Sequence, residues 1–146
     1  MLKTIPTLFL LFIAHVATAD DLSGATKAIN AAPKDATTWM KRAQVYAANS
    51  NHAKAVADCS EALKLNPKLS EAWQRRGEEF FKLSKFDKSV ADFDQYLTLK
   101  PDQKPYHWQK GISLYYAGRF KEGKKQFELH QTVNPHDVEN AVWHFL

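Results

Sequence analysis

Cysteine is almost absent. Cys59 is the only one in 146 residues, so no disulfide can form within the chain and the fold must hold by packing. Glycine and proline number only 5 and 6, which excludes collagen-like, low-complexity and flexible-linker architectures. The formal net charge of +4 is mild, and no run of five like charges occurs, so nothing marks a nucleic-acid partner. Catalytic signatures are missing too: there is no glycine-rich phosphate loop, no HExxH and no Gly-x-Ser-x-Gly. Glu78 and Glu79 are adjacent, and helix neighbours diverge by about 100°. They cannot share one site, and they read as part of a solvated helix face, as charges on helices usually do. His130, His136 and His144 lack the three- or four-residue spacing that sets ligands on one helix face, so no metal is expected. The chain is expected to be no enzyme and to need no cofactor.

What is present is a period. Pro33, Pro67, Pro101 and Pro135 stand at equal steps, which sets units of 36–69, 70–103 and 104–137. The columns agree in that register. The fourth position holds Trp39, Trp73 and His107, the eighth Ala43, Gly77 and Gly111, and the eleventh Tyr46, Phe80 and Leu114. The seventeenth holds His52, Phe86 and Phe120, the twentieth Ala55, Ser89 and Gly123, and the twenty-fourth Cys59, Phe93 and Phe127. Apolar residues recur at helical spacing on either side of a short polar break in each unit, so each unit predicts two antiparallel helices. Ser84, three residues before Asp87, reads as a capping start for the second helix of the middle unit. Gly77 and Gly111 sit inside helices, where Gly costs about 1 kcal/mol relative to Ala, and a cost repeated at one register position implies a packing reason. Cys59 falls in a packing column and is expected to be a small buried filler.

This pattern of aromatic, small, aromatic, small, aromatic and closing proline resembles the tetratricopeptide repeat over residues 36–137. The resemblance implies an all-α solenoid of helix pairs, a right-handed superhelix of about three repeats with flanking helices. Residues 20–35 then read as the lone second helix of a worn first unit, and 138–146, with Trp143 and Phe145, as a capping helix or the start of a truncated repeat. It also implies that the first helix of each unit lines a concave face where a protein or peptide partner binds. The residues expected there are Met40, Gln44, Arg75, Glu78, Phe81, Trp108, Ile112, Tyr115 and Tyr116, with Trp108 and Tyr115 as anchors on one ridge. The places at which co-chaperones of the family clamp a C-terminal carboxylate hold Met40, Gln44, Arg75, Pro105 and Gln109, so that clamp is absent. Carbohydrate or envelope-polymer recognition by the aromatic groove is a rival reading. A homodimer through the C-terminal helix is a third.

The one long apolar run lies at the start. Met1-Leu2-Lys3-Thr4 is a short basic opening, Ile5 to Val16 is almost entirely apolar, and Ala17-Thr18-Ala19 puts small residues before Asp20. These are the three parts of a secretory signal peptide, residues 1–19, and the apolar stretch is short for a membrane span. The expectation is a secreted or periplasmic chain with no membrane insertion after cleavage. N-terminal sequencing of the exported protein should begin at Asp20; an intact Met1–Val16 segment recovered from membranes overturns this.

Overall fold

A computed structural model describes residues 18–136, and all regular structure among them is helical. The helices are α1 (Ala19–Ala31), α2 (Ala36–Ala48), α3 (His52–Leu65), α4 (Ser70–Lys82), α5 (Phe86–Leu99), α6 (Trp108–Tyr116) and α7 (Phe120–Gln131). Each packs mainly on its neighbours in sequence, so the chain is a solenoid of helix pairs α2/α3, α4/α5 and α6/α7, with α1 laid against α2. The greater part of the expected leader and the expected helix at 138–146 lie outside the described residues. Among the described residues, no helix is long and apolar enough to cross a membrane.

One contact sets how closely the two helices of a pair approach. In the first pair Ala43 and Cys59, at the eighth and twenty-fourth positions, are both fully buried. In the second pair the residues are Gly77 and Phe93, and in the third Gly111 and Phe127. A Cβ on Gly77 would lie 2.7 Å from a ring carbon of Phe93, and a Cβ on Gly111 would lie 2.7 Å from one of Phe127. The small column makes room for the large one, which is the packing reason for keeping glycine inside these helices.

The pairs also share a polar device. Arg42 grips Asp58 with two hydrogen bonds of 2.7 and 2.8 Å, and Arg76 grips Asp92 at the same two distances. Each guanidinium also lies over two rings, Trp39 and Tyr46 in one pair, Trp73 and Phe80 in the next. The indoles of Trp39 and Trp73 donate to the carbonyls of Pro33 and Pro67 at 3.0 and 2.8 Å. The third pair has none of this. Lys110 stands at the Arg position and reaches back to Asp94 at 2.6 Å, while Gln126 stands at the Asp position and donates to the carbonyl of Lys104 at 2.8 Å.

The expected start of the third unit at Lys104 is displaced. Residues Pro101–Tyr106 form a 3-10 helix, and α6 begins only at Trp108. Pro105 disfavours helical geometry in the residue before it and has no N–H to give. His130 is buried, with its Nδ1 2.9 Å from the Pro105 carbonyl, and so holds a packing position.

Ser84 is not the capping residue of α5. It is the left-handed turn residue that ends α4, with φ of 57°, and Lys85 precedes α5 without a side-chain cap. The amide of Lys85 donates to Phe80 and that of Ser84 to Phe81, both at 2.8 Å, the paired bonds of a Schellman motif. Ser50, with φ of 56°, and Gly118, with φ of 74°, close α2 and α6 in the same way. Only glycine takes that backbone region without steric cost. Ser84→Gly should therefore stabilise the fold by up to roughly 1 kcal/mol, read as a higher urea midpoint. Gly77→Ala should lower it despite its better helix propensity, because forced overpacking typically costs about 1–3 kcal/mol. A midpoint for Gly77→Ala at or above wild type would overturn the packing account.

Candidate partner-binding site

Side chains of α2, α4 and α6, with some from α5, line two recesses. One is a polar cleft of about 430 Å³, walled by Met40, Gln44, Gln74 and Arg75, with Tyr96, Lys100 and Asp102 on its far side. The other is an apolar pocket of about 150 Å³ between α4 and α6, walled by Phe81, Trp108 and Ile112, with Glu78 and Gln109 also on its lining. Phe93 and Ser113, both buried, also face it.

A hydrogen-bonded relay ties the two recesses together, and it starts at His107. His107 takes the column that holds Trp in the first two units and is 5% exposed, its ring 4.6 Å from that of Phe93 and 5.4 Å from that of Tyr96. Its Nδ1 accepts the amide of Lys110 at 3.2 Å, capping α6. In the neutral ring the proton must then sit on Nε2, which donates to Oε1 of Gln74 at 2.7 Å. That fixes the Gln74 amide, whose nitrogen donates to Glu78 Oε1 and to Gln109 Oε1, both at 2.9 Å. Glu78 Oε1 also accepts from Gln109 at 3.3 Å, and its Oε2 accepts from Arg75 at 2.9 Å. Burial pushes the imidazole pKa down to about 4, so the ring is neutral at pH 7.

The expected site residues divide between these features. Met40 is 8% exposed and belongs chiefly to the core around Ala43 and Cys59, with Trp39 and Trp73 packed against it. Gln44 and Arg75 line the polar cleft, and the Arg75 guanidinium is engaged by Glu78 rather than free. Glu78, Phe81, Trp108 and Ile112 meet at the apolar pocket, where Trp108 is 48% exposed. Tyr115 and Tyr116 do not line it. The Tyr116 ring packs on Phe81 and Phe86, and the Tyr115 ring on Tyr116 and Phe120, an edge cluster in which Tyr116 and Phe120 are 54% and 55% exposed. Trp108 and Tyr115 therefore do not share one pocket.

Two residues outside the expected site matter most. Gln74 is the centre of the relay, and its column, Met40, Gln74 and Trp108, marks it in the sequence. Glu79 is not part of a solvated face. It is 0% exposed, with His52 Nδ1 at 2.6 Å and Lys82 Nζ at 2.8 Å from its oxygens. It points into the array because its column also holds Val45 and the buried Ser113. Cys59 is fully buried, and burial pushes its thiol up to about 12. Among the described residues no three His, Cys, Asp or Glu side chains are grouped to hold a metal ion.

Comparison with known proteins agrees with this architecture. Models of the tetratricopeptide repeat match residues 36–69 and 70–103. The chain is a tetratricopeptide-repeat protein. MamA from Desulfovibrio magneticus RS-1, a fragment running from residue 41 to its end, is similar in fold, with a TM-score of 0.76 at 14% identity over 82% of this chain and 67% of that one. YrrB, described as a tetratricopeptide-repeat protein with an unusual peptide-binding site, gives 0.73 at 18% identity over 84% of this chain and 63% of that one. The first repeat domain of Spaghetti (RPAP3), solved with the HSP90 peptide SRMEEVD, is 31% identical over 55% of this chain and 64% of that one, with a TM-score of 0.54. No curated protein matches the chain.

The relay gives a pH dependence whose sign follows from the lowered pKa. Unfolded, His107 binds a proton near its ordinary 6.5; folded, it resists protonation until about 4. Its contribution to stability is complete above pH 6.5 and is lost as the pH falls toward 4, on the order of 3 kcal/mol in all. Urea midpoints at pH 7 and 4.5 should differ less in His107→Phe than in wild type; an equal difference would show that His107 is not the group responsible.

Proposed function

We propose that this chain is an exported, non-enzymatic scaffold that binds a protein or peptide partner on the concave face of its repeats. The observation that carries the reading is Trp108. The core column beside it is already filled by His107, yet an indole stands 48% exposed at the mouth of an apolar pocket. The equivalent residue one unit earlier is Gln74. An unburied aromatic at a concave seam is what interface anchors look like before their partner arrives. Export rests on the leader. Cleavage after Ala19 removes Thr18, whose side chain caps α1, and leaves Asp20 and Asp21 in the first turn to favour the helix N-terminus.

The exposed rings of Tyr116 and Phe120 favour a second reading, stacking against a sugar ring of an envelope polymer. That mode would depend on the edge cluster and survive loss of Trp108.

The test uses one variant and two measurements on a partner isolated from the exported fraction. Trp108→Ala should weaken binding by about thirtyfold or more, the effect of losing an anchor worth about 2 kcal/mol. Its melting temperature should stay within a few degrees of wild type. A loss of stability of about 3–5 kcal/mol, as in truncation of a core aromatic, with no selective loss of affinity would overturn the reading.

A further inference from the structure

We propose that the pocket between α4 and α6 takes one uncharged apolar side chain of the partner, of leucine or phenylalanine kind, and refuses carboxylates and cations. The proposal rests on the concave-face reading and names what that face selects.

Size comes first. The pocket holds about 150 Å³ and is bounded by Phe81, Phe93, Trp108 and Ile112. A volume of about that size is enough for a group as large as benzene. Its buried hydroxyl, on Ser113, is already paired with Ser89 at 3.0 Å, so the lining makes no polar demand there.

Charge comes second. Two charged groups line the pocket, Glu78 and Lys82, and both are committed. Glu78 accepts two amides on one oxygen and the Arg75 guanidinium on the other. Lys82 is paired to Glu79. An incoming carboxylate would compete with the fully buried Glu79 for the Lys82 ammonium, and Glu79 would keep His52 beside it. An incoming cation would compete with Arg75 for Glu78. A neutral apolar group disturbs neither pair.

The preceding seam shows that this is no general property of the repeat. There the equivalents of Trp108, Ile112 and Ser113 are Gln74, Glu78 and Glu79, which are polar and joined in hydrogen bonds.

The experiment follows NMR signals of the Ile112 methyls and the Trp108 indole in the full mature chain. The probes are N-acetyl-phenylalaninamide, N-acetyl-leucinamide, N-acetyl-glycinamide, N-acetyl-lysinamide and N-acetyl-glutamate. The first two should shift both signals with dissociation constants of roughly a millimolar, and the others at least about tenfold more weakly. Ile112→Trp, which fills the pocket and is read on the Trp108 indole, and Trp108→Ala, which removes a wall and is read on the Ile112 methyls, should each abolish the response. A response to glutamate or lysine equal to that of phenylalanine, or no response to either apolar probe, overturns the proposal. If the apolar probes are silent while Trp108→Ala still weakens the natural partner, the anchor preference falls and the concave-face reading stands. If the apolar probes bind while Trp108→Ala leaves partner affinity unchanged, both fall.

Discussion

The closeness of two helices at one crossing governs this molecule. Where the eighth residue of a unit is Ala, the twenty-fourth is Cys; where it is Gly, the twenty-fourth is Phe. Interior packing leaves no slack for both partners to be large. The Phe93 ring that the missing Cβ of Gly77 admits does more than join α4 to α5. It contacts the His107 ring and faces the pocket between α4 and α6. Pair geometry, stacking of one unit on the next and the shape of the candidate site therefore share a single side chain.

The third unit departs from the first two at every polar device, and the departures form one set. With His in place of Trp, the fourth column turns its hydrogen bond from a proline carbonyl toward Gln74. With Lys and Gln in place of Arg and Asp, the helix pair loses its bidentate bridge, and these side chains tie α6 to α5 and α7 to the 3-10 segment instead. The aromatic that the core no longer takes stands one residue on, as exposed Trp108. The repeat models match the two regular units, and the candidate anchor lies in the irregular one.

Much of this was legible in the residues. The proline period and the small and aromatic columns define the helix pairs, because helical spacing leaves few alternatives. The burial of Cys59 followed from its column. Features that depend on contacts across units were harder to read. Ser84 carries the residue type of a cap, and only the reversal of the chain after Phe81 shows it in the left-handed region. Glu79 looks like surface until His52, on α3, is brought against it. The register step from Met40 lands on Gln74, one residue before the expected Arg75. Tyr115 keeps the spacing of a ridge with Trp108, yet the turn into α7 brings Phe120 within reach of its ring.

The burial of Cys59 has a kinetic consequence. A thiol with no exposed surface and a pKa near 12 offers almost no thiolate to an oxidant or alkylating reagent while the units stay stacked. Its reaction then waits on the parting of α2, α3 and α4, which enclose it. The lone thiol is a built-in clock for opening of the array, and its modification rate reports how often the first two units come apart in a chain that has no disulfide to hold them.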